Sequence, residues 1–385
     1  MKTICVLTAT RAEYGLLLPV IVELQKRKDV LVRIAVTGSH LSPEFGMTVH
    51  EIEADGLHVD KKIEILLSAD TPSAISKTMG LALISFADYF TESRPDALLV
   101  LGDRYEILAV CCAAMNERIP ILHMCGGETT EGAVDEAVRH SITKMSYLHF
   151  TTTQSYRNRV IQLGEDPDRV FWVGSTGVEN AQKVTILSKE NLEREIGFSL
   201  GNEYAVATFH PVTLENNTAK DQINELLNAV EEYPDILFLF TKANADADGR
   251  IINATIEEAL KRLPNIRLVS SLGMKRYMNA VRYASFVIGN SSSGVGEVPA
   301  FGIPTVNIGD RQKGRIMAQS VICCAPDQKS ITEAIAKARD PKFRSAIDTS
   351  KNPYGKGETS RQIADIIGKF LEGDQTDIKK KFYDL

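Results

Sequence analysis

Short runs of apolar, mostly β-branched residues alternate with amphipathic helical stretches along the whole chain, and no other feature limits its fold as strongly. "KTICVLTAT" reads as a strand, and "GLLLPVIVELQKRK" as a helix whose apolar residues recur at about 3.6-residue spacing. "LVRIAVTG" is a strand again and "PEFGMTVHEIEADG" a helix. "ALLVLGD", "IPILHM" and "LHFTTT" follow as strands, separated by helical "EILAVCCAAMNER" and "DEAVRHSITKMS". Nearly continuous apolar strands interleaved with helices predict a parallel sheet covered on both faces.

The same alternation restarts after about residue 185. "YAVATFHP", "ILFLFTKAN", "IRLVSS", "SFVIGNSSS", "IPTVNIG" and "SVICCAP" read as strands, with helices such as "AKDQINELLNAVEEY" between them. A chain of 385 residues exceeds what one core usually fills. The expected fold class is therefore α/β, with two doubly wound Rossmann-like domains facing a central cleft. The expected divisions are residues 1–178, residues 179–365 and a tail over residues 366–385. The amphipathic stretch "SRQIADIIGKFLEG" just before that tail can pack back on the N-terminal domain.

Composition excludes several classes. The formal net charge is -6, which argues against a basic nucleic-acid or membrane surface but leaves room for a local cationic pocket. The six cysteines include no CxxC pair, and several lie in apolar runs, as buried thiols of a reduced cytosolic protein do. The apolar run at the N-terminus breaks at "TATRAEYG", too early for a signal peptide. No stretch of about 18 apolar residues occurs, so no membrane span is expected. These features predict a soluble, cytoplasmic protein.

In doubly wound folds ligands bind at the carboxyl ends of strands, so polar residues just after strands are the first candidates. Arg11 follows the first strand beneath a helix N-terminus, where orphan amides and a guanidinium favour phosphate; a surface pair with Glu13 is the alternative. The stretch is not GxGxxG, so a dinucleotide fingerprint is missing. Asp103 and Arg104 follow "ALLVL", and Glu128, Glu131, Asp135 and Glu136 follow "ILHM". Gly126 and Gly127 would let backbone approach a ligand closely. Converging carboxylates raise one another's proton affinity, which makes general acids and bases of Asp103, Glu128 and Asp135; helix capping is the competing use. His123 and His140 stand nearby without metal-ligand spacing, so no metal is expected.

In the second half, His210 ends "VATFH" and can donate to phosphate or move a proton, unless it is a satisfied structural imidazole. "GNSSSG" is too short and too closely tied to a buried strand for a linker, and it lacks the GxSxG nucleophile pattern. What remains is a phosphate cradle of amides and hydroxyls opening a helix through "GVGEVPAF". Glu297 could then hold a ribose, with Arg311, Lys313 and Arg315 adding charge.

Seven stretches, "TATRAEYG", "VTGSHLSPEFG", "VLGDRYE", "GGETTEGAVDEAVRHSITKMS", "FHPVT", "GNSSSGVGEVP" and "NIGDRQKGR", together resemble the hydrolysing UDP-N-acetylglucosamine 2-epimerases of sialic acid and legionaminic acid synthesis. The resemblance runs in order over nearly the whole chain. It implies a glycosyltransferase-B-like fold and conversion of UDP-GlcNAc and water to N-acetylmannosamine and UDP through 2-acetamidoglucal. By position, Asp103, Glu128 and Asp135 match the family's catalytic carboxylates and His210 its essential histidine. Arg11, Ser291, Ser292 and Arg311 match phosphate contacts, and Glu297 the ribose contact. Asn244 and Ser271 match weaker nucleotide contacts, and Arg104 is counted with them. The resemblance implies a UDP-sugar as the small-molecule partner, no nicotinamide, metal or other cofactor, and a homodimer or homotetramer. No nucleic acid or membrane partner is expected.

Four rivals stay open at this point. The same chemistry could act on a UDP-2,4-diacetamido-2,4,6-trideoxyglucose. A non-hydrolysing epimerase would return UDP-ManNAc, although its "HVEAGLR" stretch is replaced here by "HMCGGETTEG". A glycosyltransferase of the same fold would need an acceptor pocket and no carboxylate trio. A UDP-sugar sensor would bind and leave the sugar intact.

Overall fold

The computed structural model describes residues 1–69, 71–215, 217–243, 248–355, 357–373 and 378–385. The chain divides into two compact units. The first comprises Met1–Glu128, Val134–Glu179 and Lys356–Leu385, and the second Thr129–Ala133 and Asn180–Gly355.

The first unit is built on seven strands: β1 (Lys2–Thr8), β2 (Val30–Thr37), β3 (Lys61–Ile63), β4 (Ala97–Leu101), β5 (Ile121–Met124), β6 (Leu148–Thr151) and β7 (Val170–Trp172). They pair in parallel in the order β3-β2-β1-β4-β5-β6-β7. Strand side chains alternate between faces, and both faces are dry. Ile4, Val6, Leu99 and Leu122 pack on one side with Leu17, Val20 and Leu24 of helix Arg11–Gln25. Cys5, Leu7, Leu98 and Val100 pack on the other with Phe86, Phe90 and Val110. Full burial of side chains such as these contributes about 1.5–3 kcal/mol each.

The chain's last helix, Thr359–Glu372, belongs to this unit. Its Ile363, Ala364, Ile367 and Leu371 complete the core beside helix Arg11–Gln25.

The second unit holds β8 (Tyr204–Thr208), β9 (Leu237–Thr241), β10 (Ile266–Val269), β11 (Phe286–Gly289), β12 (Thr305–Ile308) and β13 (Val321–Cys324). They are also parallel, in the order β10-β9-β8-β11-β12-β13. Phe238, Phe240 and Phe286 fill one face, and Tyr204, Val206 and Val287 the other. Strand order therefore reverses between β1 and β4 in the first unit and between β8 and β11 in the second, which is where such sheets present ligand sites.

Several expectations are corrected. "PEFGMTVHEIEADG" is not one helix but a 3-10 turn, Pro43–Phe45, and a separate helix, Val49–Ala54, divided by left-handed Gly46 and Met47. The helix expected through "GVGEVPAF" is one α-turn, Ser293–Gly296, followed by a 3-10 turn, Val298–Phe301, because Pro299 has no N–H to continue the ladder. The 22-residue helix Pro72–Ser93 is missing from the expected series, since small polar residues dilute its apolar spacing. Six free cysteines are present among the described residues; Cys5 and Cys111 are buried as expected, but Cys323 is exposed. No described helix is long and apolar enough to cross a membrane.

Candidate functional site

In the first unit the chain turns after β1, β4 and β5 carry the expected side chains. Thr10 caps helix Arg11–Gln25 in a reciprocal capping box with Glu13, which makes Arg11 the first helical residue, half-buried at the turn. Glu13 does not serve as a surface partner for Arg11. It is buried, and one carboxylate oxygen accepts the backbone N–H groups of Ala9 at 2.8 Å and Thr10 at 3.1 Å. Burial, and then the neighbouring charge of Glu106, pushes its carboxyl up to about 8, against the opposing pull of Arg104 and the two amides. Arg104 is itself buried and donates Nε to Glu106 Oε1 at 2.9 Å.

Asp103 stands two residues past β4, and Glu128 lies four residues past β5. A residue outside the expected set connects them. Arg139, in helix Asp135–Met145, is fully buried at 0% exposure. One of its terminal nitrogens donates to the Asp103 carboxylate; the other donates to Glu136 Oε2 at 2.9 Å and to the Glu128 carbonyl at 3.0 Å. Glu128 is buried, and its Oε1 accepts from the Thr152 hydroxyl at 2.8 Å. Asp135 is the half-buried first residue of the same helix, one turn before Arg139. The carboxylates of Asp103 and Glu136 thus share one buried guanidinium. The clue available in sequence is the spacing of Asp135 and Arg139, four apart and therefore on one helix face.

Two expectations about neighbouring residues change. Gly127 has φ +78°, and a Cβ there would lie 2.4 Å from the Tyr156 carbonyl, so close packing within the unit by itself requires glycine here. Glu131 belongs to the second unit, where its N–H donates to the Lys313 carbonyl at 3.1 Å. His123 is fully buried, with Nε2 2.8 Å from the Gly102 carbonyl and Nδ1 3.3 Å from Thr143 Oγ1. Burial holds its imidazole down to about 3, so it is neutral and structural.

In the second unit His210 lies two residues past β8 and is buried. Its backbone N–H donates to Asn290 Oδ1 and its carbonyl accepts from Asn290 Nδ2, each at 2.7 Å. Arg311 Nη1 and Gln312 Nε2 both donate to the Asn290 carbonyl, at 3.3 and 2.9 Å. His210, the serine loop and Arg311 are therefore gathered by a residue that sequence reasoning passed over. Asn290 and Gln312 were legible only as polar neighbours of Ser291 and Arg311.

Within the serine loop, Ser291 Oγ accepts from the Ser293 N–H at 3.4 Å, and Ser292 precedes the short turn without a side-chain cap bond and is exposed. The amides of Gly294 and Val295 are spent on the carbonyls of Ser291 and Ser292. Ser293 Oγ lies 2.5 Å from the Tyr277 hydroxyl. Glu297 is half-buried between the α-turn and the 3-10 turn. Ser271, past β10, accepts the Gly273 N–H at 3.1 Å. Asn244 lies outside the described residues.

A family model described as UDP-N-acetylglucosamine 2-epimerase matches residues 22–368. The chain is 40% identical over 386 residues to polysialic acid biosynthesis protein P7 of Escherichia coli, an alignment covering 100% of this chain and 98% of that one. It is 40% identical over 344 residues to the GDP/UDP-N,N'-diacetylbacillosamine 2-epimerase (hydrolyzing) of Campylobacter jejuni, covering 89% of each. Among solved structures, the Neisseria meningitidis UDP-GlcNAc 2-epimerase bound to UDP-GlcNAc shares the fold with a TM-score of 0.80 at 20% identity, over 96% of this chain and 100% of that one.

Proposed function

The chain belongs to the UDP-N-acetylglucosamine 2-epimerase family, and from that premise we propose that it is the hydrolysing enzyme, converting UDP-GlcNAc and water to N-acetylmannosamine and UDP. The observation that carries the chemistry is the buried Arg139 pairing with Asp103 and holding the Glu128 backbone at the carboxyl ends of β4 and β5. The word hydrolyzing in the name of the Campylobacter jejuni relative supports release of UDP as such.

In this reading the second unit takes the nucleotide. Ser291, Ser292, Arg311 and His210 meet the diphosphate; Glu297 meets the ribose; Ser271 and Asn244 add nucleotide contacts. Asp103 or Glu128 takes the C2 proton as the C1–O bond to UDP breaks. The C2–H electron pair becomes the C1=C2 bond of 2-acetamidoglucal, and UDP leaves with the C1–O pair. Water oxygen then adds to C1, and a proton returns to C2 from the opposite face. The other acid of the pair supplies that proton or activates the water, with Asp135 supporting. The C2 hydrogen is barely acidic, so removal is coupled to departure of a leaving group whose growing charge meets preformed donors. The same reading makes the enzyme a cytoplasmic homodimer or homotetramer.

A second substrate is favoured by a specific observation: relatives named for UDP-N,N'-diacetylbacillosamine stand at 40% and 31% identity. Proton NMR in deuterated water with each UDP-sugar separates the readings. The expected result is free UDP and N-acetylmannosamine bearing deuterium at C2. Turnover of the diacetamido sugar alone would replace the substrate, and UDP-ManNAc without free UDP would replace hydrolysis by reversible epimerisation.

A further inference from the structure

The parallel ladder between β8 and β11 ends at the pair Thr208 and Gly289. Beyond it the strands would separate, since each runs on into a loop. They do not separate at once. The Asn290 N–H bonds to the Thr208 carbonyl at 3.1 Å, and the Asn290 side chain then exchanges two hydrogen bonds with the His210 backbone, both 2.7 Å long. A side-chain amide thus supplies one more rung to the sheet. Asn290 is fully buried at 0% exposure, so these bonds do not compete with water.

The backbone carbonyl of the same residue faces the other way. It accepts from Arg311 Nη1 and Gln312 Nε2, both in the loop after β12. One residue therefore ties together the three loops that follow β8, β11 and β12. An amide is the only neutral side chain of this size that offers a donor and an acceptor side by side, as a two-way bond to the N–H and C=O of one residue requires.

We propose that Asn290 is a positioning residue of the nucleotide site, its side chain setting the backbone of His210 and its carbonyl setting the guanidinium of Arg311 before a diphosphate arrives. This rests on the reading that the second unit takes UDP. Asn290 itself need touch no phosphate. Its effect is to deliver two donors whose order would otherwise be imposed at the moment of binding.

Calorimetric titration of the full chain with UDP tests this in a double-mutant cycle. Asn290→Ala is expected to raise the UDP dissociation constant about tenfold, the scale on which removing one preorganised hydrogen bond weakens binding. In a His210→Ala, Arg311→Ala background the same change should have less than about a twofold effect, because the groups it positions are gone. A purely structural role would act equally in both backgrounds. Asn290→Asp, which keeps the shape but sets a carboxylate oxygen against the His210 carbonyl, repeats the cycle if the alanine variant does not fold. Hydrogen exchange of the His210 amide, read without ligand, should quicken in the alanine variant, which removes its acceptor. UDP affinity within twofold of the parent, or an undiminished effect in the double background, would overturn the proposal. Failure of the parent to bind UDP at all would instead overturn the nucleotide reading, and this inference with it.

Discussion

Arg139 gives one guanidinium nitrogen to the carboxylate of Asp103 and the other to the backbone carbonyl of Glu128, so a single buried cation joins the acids that follow β4 and β5. Both acids sit in loops, and loops alone do not hold catalytic groups to a fraction of an ångström. The helix Asp135–Met145 supplies the rigidity, and Arg139 transmits it.

Arg139→Ala should therefore cost both activity and stability. It leaves Asp103 and Glu136 without their guanidinium partner, and breaking a buried pair costs about 3–5 kcal/mol. UDP release should fall by at least about a hundredfold. Arg139→Lys, which keeps the charge but cannot fork to three acceptors, should recover stability more than rate. Initial rates and thermal melts on both variants check this. A rate near the parent's for the alanine variant would remove Arg139 from the site.

Asp103→Asn, Glu128→Gln and His210→Ala should each lower turnover by about a hundredfold or more. Coupled detection of released UDP reads this directly, and any variant with near-normal turnover takes its residue out of the mechanism.

Gly289 ends β11 at φ +128°, and a Cβ there would lie 1.9 Å from the Thr208 carbonyl oxygen. That atom is backbone in a central strand and cannot turn aside. Gly289→Ala should destabilise by about 3 kcal/mol or more, and UDP affinity should fall with it because His210 and Ser291 hang from the same junction. A melting curve and a titration suffice, and an unchanged melting temperature would contradict the geometry.

Glu13 is a carboxyl whose proton affinity the fold raises, from its ordinary 4.5 to about 8. The folded chain then holds a proton that the unfolded chain has lost. Its contribution is present in full below about 4.5 and disappears as pH rises through about 8. Glu13→Gln keeps an acceptor for the Ala9 and Thr10 amides without the charge. Relative to the parent, it should gain stability between pH 6 and pH 9, by a few degrees in melting temperature. Parallel pH profiles would disprove the assignment.

The tail offers the opposite sign. Glu165 is buried beside His149 at 3.1 Å, Lys144 at 2.6 Å and Lys380 at 2.5 Å. Burial alone would raise its carboxyl, but the three donors outweigh it and hold the group down to about 2 from 4.5. That stabilisation is complete above about 4.5 and is lost as pH falls towards 2, where the unfolded chain has already taken up the proton. Lys380 also donates to the carbonyls of Lys144 and Ser146, at the end of the helix that bears Arg139. Lys380→Met should destabilise by about 1–3 kcal/mol at neutral pH and flatten the acid limb of the profile. Equal melting of parent and variant at pH 7 would show that the tail is not anchored there.

The alternation of apolar strands and amphipathic helices was enough, by itself, to determine two parallel α/β units and to point to Asp103, Glu128, His210, Ser291 and Arg311 as residues just past strand ends. Those inferences rest on local periodicity and on strand direction, which a linear sequence carries in full. It could not say that Gly127 yields to the Tyr156 carbonyl, or that Pro299 cuts the helix after the serine loop to a single turn. Arg139 and Asn290 stayed hidden for a related reason. Each acts through partners 36 and 80 positions away, and which buried polar group finds which partner is decided only when the strands are laid side by side. Hydrogen bonding and desolvation depend on distances in space, and only the folded chain sets those.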